Sequence, residues 1–237
     1  PLVLAGYHGQ TSLVSIQNTD VTADQTVSVS VIRGGDAFLG GQAQLTLAPG
    51  ASETIDFGPD GLFRALYQIA PGGFIGWMRI AGTAEVAVQS FIDVTASPKA
   101  VHAFEGIPTG RLATELVAPL VRKRQATLIG TFDTGIAVVN PGAAAATVRV
   151  RYDGSAGSCA GQSFDEVPVL IGPSDAATIY QGASAALPAG CVASARLSST
   201  QPVAAVVLDA MDYTVQGAAP PGRPSCRWCA VSTRRCA

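Results

Sequence analysis

The sequence predicts an all-β protein built as two tandem antiparallel β-sandwich domains. Three observations carry that prediction. Short runs alternate apolar and polar side chains with a period of two, as half-buried strands do. Turn formers, 26 Gly and 15 Pro among 237 residues, punctuate those runs at short intervals. The second half of the chain then repeats the order of strands and turns found in the first. With 48% hydrophobic and only 14% charged residues, the chain has the material to fill a core, which excludes disorder along its whole length. Its apolar residues are mostly Ala, Val, Leu and Ile, which suit many short strands packed face to face.

Each element has a counterpart, taken here in chain order. "PLV" stands at residues 1–3 and again at 119–121. The strand "SLVSIQN" ends at Asn18 and "GIAVVN" ends at Asn140. A short turn follows each, supplied by Thr19-Asp20 in one and Pro141-Gly142 in the other. The alternation of Val27-Ser28-Val29-Ser30-Val31 matches Val148-Arg149-Val150-Arg151-Tyr152. "LTLAPGASETIDF" at 45–57 parallels "VLIGPSDAATIY" at 169–180: an apolar strand, a Pro-centred turn, then a strand closing on an aromatic residue. "GFIGWMRIAGTAEVAVQSFID" at 73–93 parallels "GCVASARLSSTQPVAAVVLDA" at 190–210, with Arg79 and Arg196 at matching places. Because the matches keep their order, the halves read as an internal duplication, each holding about seven short strands. The strand rhythm lapses in "ASPKAVHAFEGIPTGRLATEL" (96–116), where "GRLATEL" has the composition of one helical turn. The expected organisation is a first module at 1–96, a linker at 97–117, a second module at 118–217 and a Cys-containing tail at 218–237.

Five cysteines are present. Cys159 lies in the Gly/Ser-rich loop "GSAGSCAGQS", and Cys191 begins a strand of the same module. A bridge between them would close a loop of roughly 30 residues, contribute about 2–4 kcal/mol and imply an oxidising compartment. The first module has Phe74 at the place of Cys191, so an apolar contact is expected there. Cys226, Cys229 and Cys236 fall in the tail "PSCRWCAVSTRRCA". A structural zinc site needs four ligands, and His8 and His102 are remote in sequence, so tail disulfides are the expectation. Pairing within the chain would leave one thiol over, which leaves open a link between subunits or a tail that is simply disordered.

The motifs of nucleophilic, metal and nucleotide chemistry are missing: no G-x-S-x-G, H-E-x-x-H, P-loop or G-x-G-x-x-G follows a strand. His8 and His102, the two histidines, read as loop and linker side chains. Asp20 and Asp24 lack the spacing of a calcium loop and read as turn stabilisers, as do Asp209 and Asp212. Asp153 and Asp165-Glu166 are the other candidate carboxylates. Trp77 belongs in a core, and Trp228 lies between tail cysteines. No catalytic residue, cofactor or metal is assigned. Net charge is −2, and the run Arg122-Lys123-Arg124 reads as a solvated strand edge or loop, so no phosphate-binding stripe exists. No run approaches the about 20 apolar residues of a membrane-spanning helix.

The strand-turn-strand "GIAVVNPGAAAATVRVRY", followed by the Pro-centred turn of "LAPGASETI" and by "STQPVAAVV", resembles the repeated β-sandwich (Ig-like) modules of secreted bacterial surface proteins. The resemblance covers most of both halves and brings no active-site residues. It implies an extracellular or cell-surface setting and a structural or adhesive role. The expected function is a non-enzymatic structural subunit that assembles with other copies of itself into a filament or surface layer. The apolar first strand, Pro1, Leu2, Val3, Leu4 and Ala5, is the candidate for donation to a neighbour. The alternative is a secreted adhesin or carbohydrate-binding module that recognises surface glycans or proteins. The loops at 34–42 and 153–164 would then carry specificity.

Overall fold

The structure, a computed structural model, describes residues 1–7, 10–36, 39–68, 73–94, 100–128, 130–212 and 230–231. It is all-β, and the chain divides into two compact units, Pro1–Thr109 and Gly110–Ala237. Unit 1 contains strands β1 (Leu2–Tyr7), β2 (Gln10–Asn18), β3 (Gln25–Arg33), β4 (Leu39–Leu47), β5 (Ser52–Asp56), β6 (Phe74–Gly82), β7 (Val86–Val94) and β8 (Ala100–Glu105), with a short helix α1 (Arg64–Gln68). All pairings are antiparallel, in the order β4-β3-β6-β1-β2-β7-β8, and β5 also pairs with β2. The sheet bends where β1 passes its pairing to the first residues of β2, Ala5 lying opposite Thr11. One layer is therefore β4-β3-β6-β1 and the other β5-β2-β7-β8. Between them lie Val14 and Ile16 from one layer and Val27, Val29, Val31 and Met78 from the other, all buried. Alternation in the sequence is the cause: in β3 every second side chain from Gln25 to Val31 is buried. Phe57 and Phe63, stacked 5.4 Å apart, close the layers beside Leu66 of α1.

Unit 2 contains β9 (Ala113–Lys123), β10 (Gln125–Thr127), β11 (Gly130–Asn140), β12 (Ala146–Gly157), β13 (Ser163–Asp165), β14 (Val169–Ile171), β15 (Asp175–Tyr180), β16 (Cys191–Asp212) and β17 (Ala230–Val231). Strand β16 serves both layers. Its first half pairs with β12 and β9, and its second half pairs with β11 and β17. In unit 1 the same job is split between β6 and β7, because Thr83–Glu85 interrupt the strand where unit 2 runs on through Gln201-Pro202. Pro119 cannot donate to a ladder. It sits where β9 bulges, two residues opposing one between the Val121–Ala193 and Ala118–Ala195 pairs.

The pairings recur between units at the places the sequence matches. Val3 faces Gly76 and Val121 faces Ala193; Ile16 faces Val88 and Val138 faces Ala205. Ser30 faces Arg79, as Arg151 faces Arg196. Both Pro-centred turns place the residue after proline in left-handed backbone: Gly50 at φ 69° and Ser174 at φ 52°. Serine there costs about 1 kcal/mol more than glycine.

Three expectations change. The linker expected at 97–117 is mostly strand, since β8 completes unit 1 and β9 opens unit 2. The stretch between them is 106–112, containing one 3-10 turn at Thr109–Arg111 rather than a helix in "GRLATEL". The loop expected at 34–42 keeps a turn at 34–36 and becomes strand from Leu39 as β4 begins, while 153–164 is strand as far as Gly157 in β12 and again from Ser163 in β13. Much of the expected tail, 218–229 and 232–237, lies outside the described residues with Cys226, Cys229, Cys236 and Trp228, as does His8.

Candidate functional site

Asn18 and Asn140 end β2 and β11, and both are fully buried. Each side chain ties three segments together. The Asn18 amide nitrogen donates to the carbonyls of Ala23 (2.8 Å), Leu47 (3.1 Å) and Ala48 (3.1 Å), while its oxygen accepts from Asp20 N (2.9 Å). Asn140 donates to Ala144 (2.8 Å), Ile171 (3.3 Å) and Gly172 (2.9 Å) and accepts from Gly142 N (3.1 Å). Turn residues in a sandwich leave carbonyls pointing inward, and an amide satisfies them where water cannot reach. The sequence marks both residues as strand ends without revealing this role.

Cys159 and Cys191 form the expected disulfide, with Cα atoms 5.1 Å apart and both residues fully buried. The bridge fastens the turn after β12 to the start of β16. Phe74, in the equivalent place of unit 1, is buried in that unit's core.

One end of unit 2 holds a connected polar group. Tyr152 is fully buried, and its hydroxyl donates to Glu166 (3.4 Å) while accepting from the Gln181 amide (3.0 Å). Ser184 donates to the same Glu166 oxygen at 2.5 Å. Lys123 donates to the carbonyls of Ser184 and Leu187, the latter at 2.7 Å. Burial raises the Tyr152 phenol well above its ordinary value, so it stays protonated. The Ser184 oxygen also accepts from Ala186 N (3.2 Å) and Leu187 N (3.4 Å), which fixes the turn it belongs to. Every partner here serves to hold the 181–187 turn against the core.

The second polar group corrects the sequence reading of Asp209 as a turn residue. It lies within β16, 6% exposed, accepting from the Thr134 hydroxyl at 2.5 Å, with Arg122 3.6 Å away. Desolvation raises its carboxyl above the ordinary value, against the opposing pull of the Thr134 hydroxyl and the Arg122 charge. Arg122 also lies 4.8 Å from the centre of the Phe132 ring. Of the run Arg122-Lys123-Arg124, only Arg124 is exposed, in a turn as expected; the other two depart from the solvated-edge reading. Arg122 and Lys123 reach inward to Asp209 and to the 184–187 carbonyls, and Arg124 turns the chain at φ 45° with its N–H on Asp133 (2.8 Å).

The remaining candidates are dispersed. Asp20 accepts from Thr22 N (2.7 Å), the Thr22 hydroxyl (2.6 Å) and Ala23 N (3.3 Å), bonds that hold its carboxyl below the usual range and close a turn as expected. Asp153 is held low first by the Ser163 hydroxyl at 2.8 Å and then by Arg151. Asp212 ends β16 opposite Thr131, and His102 stands in β8 opposite Ile92 rather than in a linker. Trp77 is buried in β6 but outside the unit 1 core cluster, on the face of the strand opposite Phe74 and Met78, rather than between the two layers as expected. Among the described residues no three His, Cys, Asp or Glu side chains come together to hold a metal, and no helix is long and apolar enough to cross a membrane.

What remains is the sheet edges. Pro1–Ala5, the candidate donated strand, is held by its own unit: β1 pairs with β6 from Leu2 to Gly6, and Val3 and Ala5 are fully buried. Releasing Leu2, Val3 and Leu4 to water would cost roughly 6 kcal/mol. Strand β4 differs. It is nine residues long, "LGGQAQLTL", with no charge and no proline, and it ends the strand order of unit 1. The matching edge of unit 2 is broken into β13 and β14 by Glu166-Val167-Pro168 and carries Asp165. No protein-family model matches this chain, and no curated protein sequence matches it.

Proposed function

We propose that the chain is a non-enzymatic structural module of the cell exterior that associates with copies of itself through a sheet edge. The observation carrying this reading is β4, a long uncharged edge strand with no pairing partner on its outer side among the described residues. Such an edge is a template for strand addition unless charge, proline or a covering segment blunts it. The polar clusters are compatible with the same reading, because the hydrogen bonds of Tyr152, Glu166, Ser184 and Lys123 hold a turn and those of Thr134 and Asp209 join two strands. The buried Cys159–Cys191 bridge suits an oxidising compartment, which supports the exterior setting. Recurrent pairings and paired Asn clamps support descent of the two units from one duplicated module. The terminal strand, once the candidate for donation, is replaced in this role by β4, because β1 would have to forfeit its burial first.

The test is light scattering of the purified chain over a concentration series, with electron microscopy of the same samples. Mass should rise with concentration, and ordered particles larger than a monomer should appear. A constant monomer mass up to the solubility limit refutes the proposal.

A further inference from the structure

The edge strand has a specific occupant. We infer that β4 pairs antiparallel with β4 of a second copy, about a two-fold axis at Gln44; this rests on the self-association proposed above and names its contact.

The argument begins with register. Gly40 is the extra residue where β4 bulges against β3, since Gly41 faces Val31 and Leu39 faces Ile32. From Gly41 to Leu47 the ladder is regular, and Gln44 is its midpoint. Antiparallel pairing of identical segments about that midpoint sets Ala43 opposite Leu45, Gln42 opposite Thr46 and Gln44 opposite itself. An even spacing from the axis keeps core-facing residues against core-facing ones, which a one-residue slip would destroy.

Side-chain chemistry agrees on both faces. Ala43 and Leu45 are only partly buried and pack on the rim of the unit 1 core. A second copy would bring its own Leu45 and Ala43 beside them and extend the apolar layer across the axis. On the solvent face stand Gln42, Gln44 and Thr46, all exposed and neutral, so no like charges meet. On the inner face the Phe63 ring of the same unit fills the space beside Gly41, where an added Cβ would come within 2.8 Å of it. The edge formed by β13 and β14 also packs apolar residues, Phe164 and Val169, on its core, but it is broken and acid-bearing and so lacks both the unbroken ladder and the neutrality of β4. A two-fold contact closes on itself, so it yields dimers, and any further growth must use a second surface.

Two variants of the full chain test the contact, Gln42→Lys with Gln44→Lys, and Gln42→Glu with Gln44→Glu. Both positions are exposed, and charge on an edge strand is compatible with folding; circular dichroism should match the parent. Each variant alone should dimerise roughly tenfold more weakly than the parent, from like charges facing across the axis. Mixed in equal amounts, the two should form a heterodimer at least as tight as the parent dimer. Parent-like dimerisation of either variant alone, or a mixture no tighter than its components, overturns the β4 contact while leaving self-association standing. A parent chain that stays monomeric overturns both.

Discussion

Asn140 shows how one side chain can decide a local structure. Its amide and carbonyl meet four backbone groups from two turns; the residue itself is fully buried, and the bond to the Ile171 carbonyl is buried with it. Asn140→Ala should therefore destabilise unit 2 by about 2–3 kcal/mol, measured by urea unfolding, with unit 1 unaffected. A loss below about 0.5 kcal/mol would show that the carbonyls find other donors. Asp209 predicts a pH effect with a definite sign. Its folded-state value is raised, so the native chain holds this proton more tightly than the unfolded chain does. The carboxyl's contribution to stability is then greatest below the ordinary aspartate range and declines as pH climbs through the raised value. Asp209→Asn removes that decline. The stability of the parent minus that of the variant should fall between acid and neutral pH, and a flat or rising difference would contradict the assignment.

At the scale of elements, β12 and β16 are joined twice, by their ladder from Val148–Ser199 to Gly157–Cys191 and by the disulfide just beyond it. Removing the bridge with Cys159→Ala and Cys191→Ala should cost unit 2 about 3 kcal/mol, since 32 residues separate the two cysteines. Chemical unfolding followed with and without the pair should show one transition moving and the other staying in place. Two shifting transitions would mean that the units do not unfold separately. The elements were largely legible in sequence, because strict alternation in β3 and β12 leaves one face for the core. Their ends were less so. "AVHAFE" in β8 carries a weak alternation, and its strand forms because β7 offers it a ladder from Gln89 to Val94. Helix α1 is five residues long, too short for a periodic signal, and is fixed by the burial of Leu66.

For the whole molecule, the recurrence of pairings connects architecture to function. Each unit solves its core with the same ladder, so a difference between them stands out as something the fold does not require. The Asn clamps and Pro-centred turns are shared. The disulfide replaces an apolar contact, and the polar group around Tyr152 and Glu166 secures a turn beside the broken edge of unit 2. Unit 1 keeps β4 whole and uncharged. That asymmetry is why the proposed contact falls on unit 1.

The sequence by itself determined the all-β class, the two-part order, the Cys159–Cys191 pairing and the burial of Trp77, because periodicity, turn chemistry and matched spacing are local properties of a chain. The neutrality of β4 was equally readable, but not that it would lie at an edge. Only the tertiary structure decided which strands have open sides, which carbonyls Asn18 and Asn140 meet, and that Arg122, Thr134 and Asp209 converge across 87 residues of chain. Those outcomes depend on long-range pairing, in which each strand's place is set by the strands it competes with, and no window of sequence contains that competition.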